Sequence, residues 1–207
     1  TSDVRLAARF GGAQPELDAP GLLRLLRSPN LREAGTALTG VTEVMPGHRI
    51  VVGTGDITET ARWSPWRFAD PDMRIMSPTE TVGRLRETIV TTVGSLLSPY
   101  DRPLLAVSGG LDSSIVAAAL VESGIDFAAV TLATREKAGD EREFARHLRD
   151  ALAIELHERP ESAELVDISI SAAAHLPRPT ARLFSQSIDR QMMRLASETG
   201  TGAFVHG

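Results

Sequence analysis

The chain has 207 residues, 42% of them hydrophobic, which suffices for one core of ordinary size or for a core with a small appendage. A net charge of −5 and the absence of cysteine argue against a basic surface for nucleic acid or anionic membrane, and exclude disulfides, thiolate metal sites and a cysteine nucleophile. No apolar run reaches the ~18 residues of a membrane span, and the opening "TSDVRLAARFGG" lacks the apolar stretch of a secretory signal. A cytoplasmic location fits, although a chain without thiols tolerates either redox compartment. Lys137 is the only lysine and Tyr100 the only tyrosine.

Residues 1–62 read as a small unit. "DAPGLLRLLRS" (Asp18–Ser28) predicts a short helix, with Asp18 as its N-cap and Pro20 in the first turn. "TGVTEVMPGHRIVVGTGDITETARW" predicts two strands, with turns at Pro46-Gly47 and Gly53–Asp56. Residues 63–78, rich in proline and charge, read as a linker. Val82, Leu85, Ile89, Val93, Leu96 and Leu97 then recur at helical spacing, and Ser77 or Thr79 is placed to cap that helix.

From there strands and helices alternate. "PLLAVS", "DFAAVTLA", "ELHERP" and "AFVHG" read as strands. "SSIVAAALVESG", "DEREFARHLRDALA" and "SQSIDRQMMRLASETG" read as helices, the first and last ending at Gly124 and Gly200. The alternation predicts an α/β domain over residues 79–207, a parallel sheet with helices on both faces. Ligands of such sheets bind at the carboxyl ends of the strands.

The stretch Ser108-Gly109-Gly110-Leu111-Asp112-Ser113-Ser114 falls at such a strand end, directly before a helix. Its glycines allow close backbone approach and positive φ. The free amides and dipole of the helix start attract phosphate, and three hydroxyls add donors. Asp112 would repel phosphate unless Mg²⁺ bridges the two. The loop is neither G-x-x-x-x-G-K-[ST] nor G-x-G-x-x-G. The bland alternative is a tight turn with Asp112 as a solvated helix-start residue.

"SGGLDSS" resembles the pyrophosphate loop of ATP pyrophosphatases that adenylate a carboxylate or carbonyl oxygen. "GVTEVMPGHRIVV" and "DEREFARHLRDALAIELHE" resemble segments of the asparagine synthetase family. The resemblance implies the adenine nucleotide alpha hydrolase-like fold with ATP and Mg²⁺ as cofactors. Residues 1–62 would be the end of a glutaminase-like N-terminal domain. Two branches of the family share the adenylation step, asparagine synthetases and lasso-peptide cyclases. "AHLPRPTARLFSQSIDR" (Ala174–Arg190) is more similar to the cyclase branch.

A cyclase would adenylate the side-chain carboxylate of an Asp or Glu in a precursor peptide and close it onto the N-terminal amine as a macrolactam. Its partners would be that precursor, a leader-binding protein and a peptidase, with no nucleic acid and no membrane. Asparagine formation and an inactive peptide-binding scaffold are the alternatives. By resemblance, Ala106 and Leu132 contact the adenosine, residues 108–114 the phosphates, and Asp112 the metal. Gly207 matches the first glycine of a further nucleotide loop, and His206 stands where the family has a serine. The resemblance puts the family's catalytic lysine and second metal-binding aspartate beyond Gly207, so the chain is expected to be a fragment that binds nucleotide poorly and closes no ring alone.

Other residues carry plainer readings. Lys137 reads as a solvated loop charge, Tyr100 as a turn residue, His147 as exposed, and His157 as a core or strand-end histidine. Met192-Met193 read as core packing. Arg178, Arg182 and Arg190 read either as a cluster for pyrophosphate or an acidic peptide, or as a solvated face. Trp63 and Trp66 are expected to pin the linker to the core.

Overall fold

A computed structural model describes residues 3–11, 15–133, 139–171, 173–180 and 185–206. The chain divides into two compact units, Thr1–Arg74 with Ser169–Leu183, and Ile75–Ile168 with Phe184–Gly207.

The first unit holds helices α1 (Val4–Gly11) and α2 (Ala19–Arg27) and a hairpin of β1 (His48–Val52) and β2 (Ile57–Ala61). Asp18 stands at the N-cap of α2, but its side chain accepts no amide there. Thr36, 2% exposed, ties a turn together, its hydroxyl donating to the Val41 carbonyl at 2.7 Å. The 169–183 segment joins through backbone bonds from the Ala37 amide to the Pro177 carbonyl and from the Val4 amide to the His175 carbonyl. Every residue of the hairpin is exposed, because neither face meets a second layer within the unit.

The tryptophans do not pin the linker: Trp63 is 53% and Trp66 81% exposed. A 3₁₀ turn, Pro65–Phe68, capped by Ser64, carries Trp66 outward, while Trp63 meets the Phe68 ring at 6.4 Å.

The second unit begins with α3 (Pro78–Leu97), where Ser77 is the cap, its hydroxyl accepting the Glu80 amide at 3.3 Å. Then follow β3 (Leu104–Ala106), α4 (Leu111–Glu122), β4 (Ala128–Ala133), α5 (Arg142–Leu152), β5 (Glu155–Pro160), α6 (Gln186–Thr199) and β6 (Phe204–His206). The strands form one sheet in the order β5-β4-β3-β6, and each pairing is parallel.

Alternation along β3 and β4 sends side chains to two cores. Leu105, Val107 and Ala129 pack with Ala117 and Leu120 of α4, joined by Val93 and Leu97 of α3 and Leu148 of α5. Leu104, Ala128 and Val130 pack with Met192 and Leu195 of α6 on the other face. Leu104, Leu105, Leu120 and Leu195 are fully sealed from solvent, each such burial stabilising by about 1.5–3 kcal/mol. Helices therefore cover both faces.

Only the C-terminal half of the α3 stripe reaches this core, and Val82 and Leu85 stay exposed. Of the methionine pair, Met192 is buried and Met193 is 63% exposed. Among the described residues no helix is long and apolar enough to cross a membrane.

Ala153, exposed at the end of α5, adopts φ 54°, ψ 42°, a left-handed position usually given to glycine. Its Cβ strain costs about 1–2 kcal/mol, whereas glycine loosens the unfolded chain by roughly 0.4–1 kcal/mol. Ala153→Gly is therefore expected to stabilise the protein by about 0.5–1 kcal/mol, read as a higher urea midpoint with an unchanged slope.

Candidate functional site

The link from β3 to α4 is built by two glycines and three serines. Gly109 has φ +74°, and a Cβ there would stand 2.3 Å from the Phe144 Cβ and 3.1 Å from the Ala145 amide nitrogen. Only a residue without a side chain lets the loop lie against α5. Gly110 is the N-cap of α4 and offers no side-chain acceptor, so the first-turn amides of Leu111, Asp112 and Ser113 lack intrahelical partners.

Ser108 and Ser113 fasten the turn internally. The Gly110 amide donates to Ser108 Oγ at 3.2 Å and the Ser108 amide to Ser113 Oγ at 3.3 Å. Ser114 Oγ donates to the Gly110 carbonyl at 2.7 Å and is occupied by the helix start.

These amides open on a cavity of about 470 Å³ at the carboxyl ends of β3, β4 and β6, a volume ordinary for a small-molecule site. One wall is apolar, formed by Ala106, Val130, Leu132, Ile188 and Met192. The other carries Ser108, Gly110, Leu111, Asp112 and Ser113 from the α4 start, with Thr131 of β4. His206, opposite Ala106 in the β3–β6 register, and Glu141 also border it.

Asp112 is exposed and, among the described residues, engages no hydrogen-bond or ion-pair partner. No arginine or lysine lies on the described wall. Beside Glu141, the arginines of α5 are already engaged. Arg142 holds Asp140 at 2.6 Å, and Arg146 grips Glu158 through two contacts of 2.6 Å. The Arg142 guanidinium lowers the Asp140 carboxyl to about 2, and the hydrogen bond from Arg146 lowers that of Glu158.

Among the described residues no group of three or more His, Cys, Asp or Glu could cage a metal. A lone carboxylate beside free amides instead suits Mg²⁺, which keeps waters and uses one or two carboxylates plus substrate phosphates.

Of the residues singled out from sequence, the cavity thus gathers Ala106, Ser108, Gly110, Leu111, Asp112, Ser113 and Leu132. Gly109, which lies against α5, and Ser114, bonded to the Gly110 carbonyl, do not line it, while Gly207, Lys137 and Arg182 fall outside the described residues. Arg178 is not free for an anion: it donates to Glu43 and to the Glu33 carbonyl within the first unit. Arg190 is exposed on α6 in the second unit.

His147 is exposed on α5, Tyr100 is half-exposed in a turn, and His157 on β5 lies 2.8 Å from Glu155. Sequence reasoning missed Thr131, Val130 and Ile188. Leu132, expected at the adenosine, lies on the same strand end, but nothing local announced its neighbours.

The sheet, its two helical layers and the cavity at its carboxyl edge define an α/β protein built on a parallel sheet with helices on both faces. The asparagine synthase family profile matches residues 84–203, more than half of the chain, and the chain belongs to that family. It is 29% identical over 154 residues to carboxyethyl-arginine beta-lactam-synthase of Streptomyces clavuligerus, a match covering 73% of this chain and 27% of that protein. The chain therefore spans about a quarter of the length of that curated relative.

Among solved structures, it is similar to NMN synthetase from Francisella tularensis, with TM-score 0.43 and 18% identity over 61% of this chain and 51% of that one. It is also similar to an NH3-dependent NAD synthetase from Campylobacter jejuni, with TM-score 0.41 and 20% identity over 56% of this chain and 51% of that one.

Two outcomes follow from this geometry. Gly109→Ala combines left-handed strain with a clash against α5 and is expected to lower stability by about 2 kcal/mol or more. Gly110→Ala, whose added Cβ meets only Ser108 Oγ at 3.2 Å, should cost about 1 kcal/mol or less; chemical denaturation of both variants separates the effects. The Asp140 carboxyl, lowered from 3.8 to about 2, contributes stability that is fully present above its unfolded value and lost as pH falls through about 2. In an NMR titration, Arg142→Met should move its midpoint up toward the ordinary carboxylate range.

Proposed function

We propose that this chain forms the ATP-binding part of an amide-forming ligase of the lasso-peptide cyclase type. The single observation that carries the reading is the pairing of an unengaged Asp112 carboxylate with the unpartnered amides of the α4 start in one open cavity. Polyphosphate needs donors and a helix N-terminus, and the metal that accompanies it needs a carboxylate. The apolar wall of Val130, Ile188 and Met192 is suited to a flat nucleobase.

In the proposed reaction an Asp or Glu side-chain oxygen of the precursor peptide bonds to the α-phosphorus, and the bond from that phosphorus to pyrophosphate breaks. The N-terminal amine then attacks the acyl carbon, losing a proton as AMP leaves with the carbon–oxygen bond pair. Mg²⁺ held by Asp112 would neutralise charge on the departing phosphates. The protein's own share is positional. The α4 amides orient the phosphates, and the narrow loop fixed by Gly109 keeps them in line with the cavity.

Ring closure is favoured over asparagine formation by the relative from Streptomyces clavuligerus, which is named for making a β-lactam, itself a cyclic amide. Ala174–Arg190, similar to the cyclase branch, supports the same choice.

The test uses the full-length protein with MgATP and a candidate precursor freed of its leader. Mass spectrometry should show loss of one water from the peptide, with AMP and pyrophosphate released. Asp112→Ala should slow this by about 100-fold or more. Conversion of free aspartate to asparagine would instead establish the synthetase alternative, and peptide binding without ATP consumption the scaffold.

A further inference from the structure

Thr131 lies on the described cavity wall yet is only 2% exposed. Its neighbours on β4 show where the side chain points. Ala128 and Val130 pack toward α6, and Ala129 packs toward α4 with Leu105 and Leu120. Alternation puts Thr131 on the face of Ala129, the α4 side, with Ser113. The other buried hydroxyls of the second unit are engaged: Ser113 by the Ser108 amide and Ser187 by the Ser162 amide. Among the described residues Thr131 Oγ1 has no hydrogen-bond partner.

The oxygen is not sealed away from all accessible space, and the open space that Thr131 borders is the cavity. A hydroxyl there can donate to a group bound in the cavity, which a valine of the same shape cannot.

We propose that Thr131 is a nucleotide-binding residue whose hydroxyl donates a hydrogen bond to a phosphoryl oxygen of the bound nucleoside polyphosphate. This rests on the nucleotide reading above and extends it to a residue that the loop sequence does not contain. The phosphate, rather than the base, is the partner because the apolar wall belongs to the opposite, α6 face. Phosphoryl oxygens only accept, so they match a donor on the α4 side, where no lysine or arginine borders the described cavity.

The experiment is isothermal titration of the full-length protein with MgATP and, separately, with adenosine, for the wild type, Thr131→Val and Thr131→Ser. Thr131→Val should weaken MgATP about tenfold and leave adenosine unchanged, Thr131→Ser should stay near wild type, and the melting temperature of the ligand-free valine variant should be equal or higher. Unchanged MgATP affinity in the valine variant would overturn the assignment while leaving the nucleotide reading intact. So would a parallel loss for adenosine, or a clear drop in ligand-free melting temperature, which would mark the hydroxyl as structural. Wild-type protein that binds no MgATP would remove both.

Discussion

The winding of the sheet dictates the rest of the second unit. From β3 the chain steps to β4 and then β5 through α4 and α5, and returns through α6 to lay β6 on the other side of β3. Parallel crossovers are right-handed almost without exception, so reversing direction across the sheet places the returning helix on the opposite face. At the reversal point α4, which follows β3, packs on one face of the sheet, and α6, which leads into β6, packs on the other. The cavity between Ala106, the α4 start and His206 lies at that point. Its position is a consequence of strand order, and the side chains decide only what it holds.

What it holds is constrained by charge. The chain is acidic overall, and the arginines closest in sequence to Glu141 are spent on Asp140 and Glu158. With no lysine or arginine on the described wall, attraction for an anion falls to the first-turn amides and to the helix dipole, equivalent to roughly half a positive charge. That is weak against several phosphate charges. In the proposed reading a divalent ion would make up the difference, which would give a carboxylate at Asp112 a purpose it would lack in a site already rich in cations.

Much of this was legible in the sequence where one segment carried the whole signal. Each strand and helix of the second unit followed from periodicity and its punctuation, and the Ser108–Ser114 loop from its glycines and hydroxyls. Failures came where a second segment decided the outcome. Trp63 and Trp66 have the composition of anchors, but the turn begun by Pro65 sends Trp66 into solvent. The α3 stripe is continuous in sequence, yet Val82 and Leu85 lie beyond the core that Val93 and Leu97 reach. Arg178 and Arg190 look like one cluster along the chain but belong to different units. Ala153 gave no warning of a left-handed turn because the usual glycine is absent. Thr131, Val130 and Ile188 were hidden for a related reason: which side of a strand faces a ligand depends on where the helices pack.

The apolar wall of the site is continuous with the core behind it. Met192 packs against Leu104, Val130 and Leu195 and also borders the cavity. Ile188, one turn earlier on α6, touches the same cluster from the cavity side. The layer that Leu104 and Leu195 seal at its centre is therefore open at the carboxyl edge of the sheet, where a flat apolar ligand would extend it. On the opposite face the pattern is different: Leu105, Val107 and Ala129 are covered by α4 and α5, and the apolar series stops at Thr131. Hydrocarbon ends at the edge of one face and hydroxyl begins at the edge of the other. A ligand matched to both surfaces would itself be two-sided, with an unhydrated plane toward α6 and acceptor oxygens toward α4, as the proposed nucleotide is.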